Sequence, residues 1–281
     1  MKRFKAEVRN KRADAGKRKP EALNRVFYNF SPLISYFNYR YIIPALILKL
    51  AVFYAILAFS GLTRMTGSDA LWVSSTGGRM PVIIIDPGHG GMDGGAVGVD
   101  SVVEKNINLE IAFILRDLFI INGFEVVMTR EEDVSIHDPG VIGIRAQKTS
   151  DLHNRLAFTN RFSDSIFISI HQNKFGDPAQ KGAQVFYGPN NPGSELLAEA
   201  VQRNVASMIQ PENRRRHKES GSNLFIIYRA ANPAILVEGG FLSNPQDAKN
   251  LTDAKYQAQL AFAIFRSTLE YLGMELPVSF A

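Results

Sequence analysis

Two histidines and a glutamate each close a short apolar run: Ile83-Ile84-Ile85-Asp86-Pro87-Gly88-His89, Phe167-Ile168-Ser169-Ile170-His171 and Ile235-Leu236-Val237-Glu238. Such runs read as buried strands, and catalytic groups in open α/β sheets collect at the carboxyl ends of strands. A second glutamate, Glu104 in Val102-Val103-Glu104-Lys105-Asn106, stands just ahead of a long amphipathic stretch. Two imidazoles and a carboxylate are a common set for catalytic zinc, with a fourth position left for water. Zinc lowers the pKa of that water to about 7, giving a hydroxide nucleophile near neutral pH. A carboxylate not bound to metal must then take the water's proton and deliver it to a leaving amine. Glu238 has the type and the placement for that role. The chain contains no cysteine, so a metal would have to be held by His, Asp or Glu.

Plainer readings of the same residues stay open at this level. A histidine after a strand is often just a satisfied polar side chain, and Glu104 could serve only the helix dipole. Glu238 could be paired with an arginine. The run Gly88-His89-Gly90-Gly91-Met92-Asp93-Gly94-Gly95 could cradle phosphate, although it matches neither a dinucleotide fingerprint nor a P-loop, and no H-E-x-x-H is present.

The elements that must position these groups follow from periodicity. Strands are predicted at 82–85, 124–128, 165–170, 183–187, 224–228 and 234–237. A helix at 107–121 puts Ile107, Ile111, Ile114 or Leu115, and Leu118 on one face and stops at Asn122-Gly123. Further helices are predicted at 151–162, with Leu152 and Leu156 inward, and at 255–272. Another is capped by Ser194 and buries Leu197, Val201, Val205 and Met208. Strands alternating with helices imply an α/β fold: a twisted mixed sheet of about six strands with helices on both faces.

Charge is unevenly placed. The chain of 281 residues carries a net +5, but residues 1–26 alone hold ten Lys/Arg against three acids, and 27–60 add Arg40 and Lys49. Residues 61–281 are therefore mildly acidic, which argues against nucleic acid as a partner of the main domain. Residues 41–62 contain one charge, Lys49, and one proline, Pro44, over about the length a helix needs to cross a bilayer. The excess of Lys/Arg before this span predicts an uncleaved anchor with a cytoplasmic N-terminus. A signal peptide ending near Ala58-Phe59-Ser60 and a buried core helix are the competing readings. The expected organisation is a basic cytoplasmic segment at 1–40, a transmembrane anchor at 41–62, a linker at 63–80 and a catalytic domain at 81–281. The domain is then extracytoplasmic at the cell membrane, or in the wall or spore cortex if the segment is cleaved.

Four stretches in order, IIIDPGHGGMDGGAVG, VVEKNINLEIA, IFISIHQNKF and NPAILVEGGFLSNP, resemble the successive signatures of zinc-dependent N-acetylmuramoyl-L-alanine amidases of type 3. The resemblance spans 82 to about 272. It implies one Zn²⁺ held by His89, Glu104 and His171, with Glu238 as the catalytic carboxylate. It also implies hydrolysis of the amide joining N-acetylmuramic acid to L-alanine of peptidoglycan stem peptides. MTREED, KGAQVFYGPNN and the compact spacing from His89 to His171 are most similar to germination-specific amidases, which help form muramic lactam in spore cortex. A cell-separating wall amidase and a non-catalytic peptidoglycan-binding protein are the alternatives; a zinc carboxypeptidase fits the four stretches less well. An accessory activator is an open question. Gln172 and Lys174 around Asn173, and Gly239 after Glu238, depart from the family's usual residues and imply altered substrate fit. The basic run Arg214-Arg215-Arg216-His217-Lys218 reads as a solvated face or a contact for peptide carboxylates or wall polymers. His137, His153 and His217 have no motif support.

Overall fold

The computed structural model describes residues 80–275. The predicted segments 1–40 and 41–62, and all but the end of the 63–80 linker, lie outside the described residues. Among the described residues no helix is long and apolar enough to cross a membrane.

Six strands form one mixed sheet in the order β2-β1-β3-β6-β4-β5: β1 (Val82–Pro87), β2 (Val126–Met128), β3 (Ser165–Asn173), β4 (Gln184–Tyr187), β5 (Lys218–Glu219) and β6 (Ala234–Phe241). β2, β1, β3 and β6 run parallel, β4 is antiparallel to β6, and β5 is parallel to β4. The alternation of a pleated strand divides the apolar residues between two faces. Ile83 and Ile85, with Ile166, Ile168, Ile170, Ile235 and Val237, pack against α1 (Glu104–Ile121), α3 (Pro192–Ile209) and α6 (Ala254–Tyr271). Ile84, Phe167, Ala234 and Leu236 face the other way, toward α2 (Ile144–Thr159) and α4 (Phe225–Arg229). A short helix α5 (Pro245–Leu251) follows β6. Helices cover both faces, as the periodicity predicts.

Three local expectations are corrected. Residues 224–228, predicted as a strand, instead form α4 from Phe225 on, with Leu224 as its N-cap and Ile226 and Ile227 buried against the sheet. A five-residue apolar run carries no periodicity that separates the two states, and packing on the sheet decides. The sixth strand is instead β5, which begins at the last residue of the basic run. In α2 the buried face is polar, Asp151, Arg155 and Thr159, while Leu152 is 39% exposed. Finally, α3 is capped by Asn191, whose side chain accepts from Gly193 N ahead of the N-terminal turn containing Pro192. The Ser194 hydroxyl instead accepts from Ala234 N, and Met208 is exposed.

Candidate active site

The parallel core of the sheet brings three of the predicted residues to one end. His171 on β3 stands in register with Glu238 on β6, so both side chains leave the sheet on the same face. β1 ends at Pro87, and His89 follows two residues on with φ +64°, a left-handed conformation uncommon for a non-glycine residue. Glu104 opens α1 and is buried. One ligand atom each from His89, Glu104 and His171 lies within 4.8 Å of the others.

Glu104 is the hub. Its Oε1 lies 3.0 Å from His171 Nδ1 and 3.2 Å from His89 Nε2, and it accepts from Gln172 N at 3.0 Å. Its Oε2 accepts from Ala96 N at 2.7 Å. Burial alone would raise this carboxyl's pKa, but the two imidazoles hold it far below the usual carboxylate range. Burial likewise disfavours a charged His89, yet hydrogen bonds to Asp93 and Glu104 outweigh it and push His89 up to about 9. Asp93 Oδ2 sits 2.9 Å from His89 Nδ1, leaving Nε2 to face Glu104. Glu238 differs from all of these. Its Oε2 is buried with no hydrogen-bond partner, and burial, aided by Glu104, pushes its pKa up to about 7 against the opposing pull of the histidines. The open reading in which an arginine pairs with Glu238 is therefore not met among the described residues.

The loop after β1 is held from behind by two arginines. Arg155 pairs with Asp86 and Asp151, each at 2.6 Å, and donates to the carbonyls of Pro87 and His89. Arg130 donates to the carbonyls of Pro87, Gly88 and Lys105. Burial works against the Asp86 carboxylate, but Arg155, Thr129 and Ser169 lower its pKa to about 2. Sequence reasoning missed Asp93, Asn108, Arg130, Asp151 and Arg155. The available signal was spacing: Asn108 stands four residues after Glu104, and Arg155 four after Asp151, on the same helical face in each pair.

The phosphate-cradle reading is not supported, because the loop's amides are already used. Gly90 N donates to Asp93 O, Gly91 N to Asp133, Gly95 N to Asp93 and Ala96 N to Glu104. The glycines serve closeness instead. A Cβ on Gly88 would lie 2.2 Å from His171 Nε2, and one on Gly95 would lie 2.5 Å from Glu104 Oε2. His137, His153 and His217 stay outside the cluster, against Ser135, Phe225 and Tyr187 respectively. In the basic run, Arg215 stacks on Phe241 and donates to Lys181 O, Gln180 and Gln184, the residue opposite Glu238. With Arg214, Lys181 and Tyr256 it lines a cavity of about 460 Å³.

The donor set suits a divalent metal of the zinc type: two imidazole nitrogens and one ionised oxygen, close enough to share an ion. The carboxylate that orients His89 from its far nitrogen is the usual companion of a ligating histidine.

Comparison with known proteins agrees with this chemistry. The family model described as N-acetylmuramoyl-L-alanine amidase matches residues 83–269. The germination-specific N-acetylmuramoyl-L-alanine amidase of Bacillus subtilis is 36% identical over 190 residues, covering 68% of this chain and 79% of that protein. Among solved structures, the CwlD amidase from Clostridioides difficile in complex with the GerS lipoprotein superposes with a TM-score of 0.66 at 34% identity, covering 69% of this chain and 98% of that one. An N-acetylmuramoyl-L-alanine amidase from Clostridium difficile 630 gives 0.60 at 30% identity, covering 71% and 100%. With its family match running from β1 into α6 and encompassing all four candidate site residues, this chain belongs to the N-acetylmuramoyl-L-alanine amidases, enzymes that split N-acetylmuramic acid from the L-alanine of peptidoglycan stem peptides.

Proposed function

We propose that the chain is a zinc-dependent amidase of spore cortex peptidoglycan, tethered to the cell membrane by residues 41–62 with its catalytic domain outside. The observation that carries the catalytic part is one buried carboxylate, Glu104, shared by two imidazoles beside a second, unpartnered carboxyl, Glu238. His89, Glu104 and His171 would hold one Zn²⁺. When bound, the ion polarises the scissile carbonyl, acidifies its water and stabilises the oxyanion. Asp93 would fix the His89 ring by accepting from Nδ1, so that with the ion bound Nε2 is the nitrogen left to ligate it. Glu238 takes a proton from the attacking water and passes it to the departing L-alanine nitrogen. Its unpartnered Oε2 is suited to that exchange because no other donor competes for it.

The test is release of stem peptides from purified glycan by the full-length chain. Chelation is expected to abolish it and added Zn²⁺ to restore it. Activity that survives complete metal removal refutes the assignment. The cortex role rests on the similarity to the germination-specific amidase of Bacillus subtilis. Spores of a deletion strain should lack muramic lactam; normal lactam with defective cell separation would favour the vegetative autolysin reading. The C. difficile amidase was solved with a lipoprotein bound, and we carry over the expectation that an accessory protein raises the activity of this chain. Turnover measured with and without spore-coat-free membrane extract checks it. Membrane attachment is supported by the single charge within 41–62 and the basic residues before it.

A further inference from the structure

Resting on the zinc reading above, we infer that Gln172 is a positioning residue: it fixes the Asn108 amide and, through it, the carboxylate of Glu104, and Gly239 is the counterpart that gives it room. The fold brings Gln172, next to His171, against Gly239, next to Glu238. A Cβ on Gly239 would meet Gln172 Oε1 at 2.7 Å and Leu260 Cδ2 at 2.8 Å. The long amide at 172 therefore occupies space that any side chain at 239 would claim.

Its function follows from the hydrogen bonds. Gln172 and Asn108 are buried, 3% and 0% exposed. Asn108 Nδ2 donates to Gly88 O at 3.2 Å and to Glu104 Oε1 at 3.3 Å. An amide turned the other way would set its oxygen against two acceptors and leave both without that donor. Gln172 Nε2 donates to Asn108 Oδ1 at 3.2 Å, which holds the amide in the productive orientation. The backbone N–H of Gln172 reaches the same Glu104 oxygen at 3.0 Å. One residue thus braces the hub carboxylate twice, directly and through Asn108. Packing alone does not account for a glutamine here. Its Oε1 is buried without a partner, a cost that an apolar side chain of equal length would avoid. The donor to Asn108 is what the glutamine adds.

The experiment titrates Zn²⁺ against a competing chelator in the full-length chain and its variants. Gln172→Met keeps the length and the apolar contacts but removes the donor, and zinc affinity is expected to fall about 10-fold or more, the usual effect of losing a group that orients a ligand. Turnover should fall through kcat with KM nearly unchanged. Gly239→Ala should weaken zinc in the same direction by displacing Gln172, and Gln172→Ala added to it should cost little more, since the donor to Asn108 is then already lost. Zinc affinity of Gln172→Met within twofold of the parent overturns the inference, even if its melting temperature falls, since glutamine would then be only a packing residue. Should Gln172→Met fail to fold, unchanged zinc affinity in Gly239→Ala overturns it equally. A parent chain that binds zinc while the variants bind it equally well sinks this inference alone. A parent chain that takes up no zinc sinks the zinc reading and this inference together.

Discussion

A carboxyl group with one oxygen buried and unpartnered resists ionisation, and Glu238 is pushed from its ordinary 4.5 up to about 7 by burial. The folded state then holds this proton more tightly than the unfolded one. The resulting stabilisation is full below pH 4.5 and is lost as pH rises through 7, by about 3 kcal/mol in total. Glu238→Gln keeps a neutral group in place at every pH. It is expected to lower kcat by about 10²–10⁴-fold, the worth of a general acid–base group, while zinc stays bound. The same variant, freed of metal, should melt higher than the parent at pH 8 and not at pH 4; calorimetry at the two values checks this. Gly88 yields a second outcome at this scale. An alanine there would place Cβ 2.2 Å from the His171 ring, so Gly88→Ala should shift that ring and lose zinc, read as metal content after dialysis.

The loop that presents His89 depends on α2, a helix whose buried face is charged. Arg155 is 2% exposed at its side chain and joins Asp86, Asp151 and two loop carbonyls. Removing it leaves Asp86 buried and unpaired, so Arg155→Met is expected to cost about 3–5 kcal/mol in urea unfolding. Adding Asp86→Asn, which removes the stranded charge, should recover part of that loss. The pair also sets the acid limit. The Asp86 pKa falls from 3.8 to about 2 on folding, so its contribution is present above 3.8 and is lost as pH drops through 2. Beyond the four-residue spacing of Asp151 and Arg155, none of this was visible in the sequence, because a stripe scored for apolar residues assigns the wrong face to a helix that buries an ion pair. Leu152 was expected inward on that rule and lies outside. The strand expected at 224–228 failed for a related reason: five apolar residues can lie against a sheet as one helical turn.

At the scale of the whole molecule the charges are segregated. Residues 1–26 carry a net +7 within a chain whose total is +5, so the remainder balances slightly acidic. On the topology proposed above, the positive-inside rule predicts residues 1–40 in the cytoplasm and the domain outside, where peptidoglycan is. Protease added to intact protoplasts should therefore remove the 81–281 domain and leave an epitope at the N-terminus protected. A protected domain would reverse the orientation, and release of the domain without protease would favour a cleaved signal. The strand order belongs to this scale too, since the C-terminal ends of β1, β3 and β6 meet only because those strands are parallel neighbours.

The α/β alternation was legible because periodicity is local; His89, Glu104, His171 and Glu238 stood out as polar groups beside short apolar runs, and the resemblance to the amidase family supplied their roles. Local pattern marks where a strand lies, though β1, β3 and β6 run on to Pro87, Asn173 and Phe241, beyond the apolar runs that announce them. It does not fix which carboxylate sits between which imidazoles, that Asp86 and Arg155 meet across 69 positions, or that Gln172 fills the room above Gly239. Those relations join segments far apart in the chain, and only the pairing of strands and the packing of helices on them brings the groups within bonding distance.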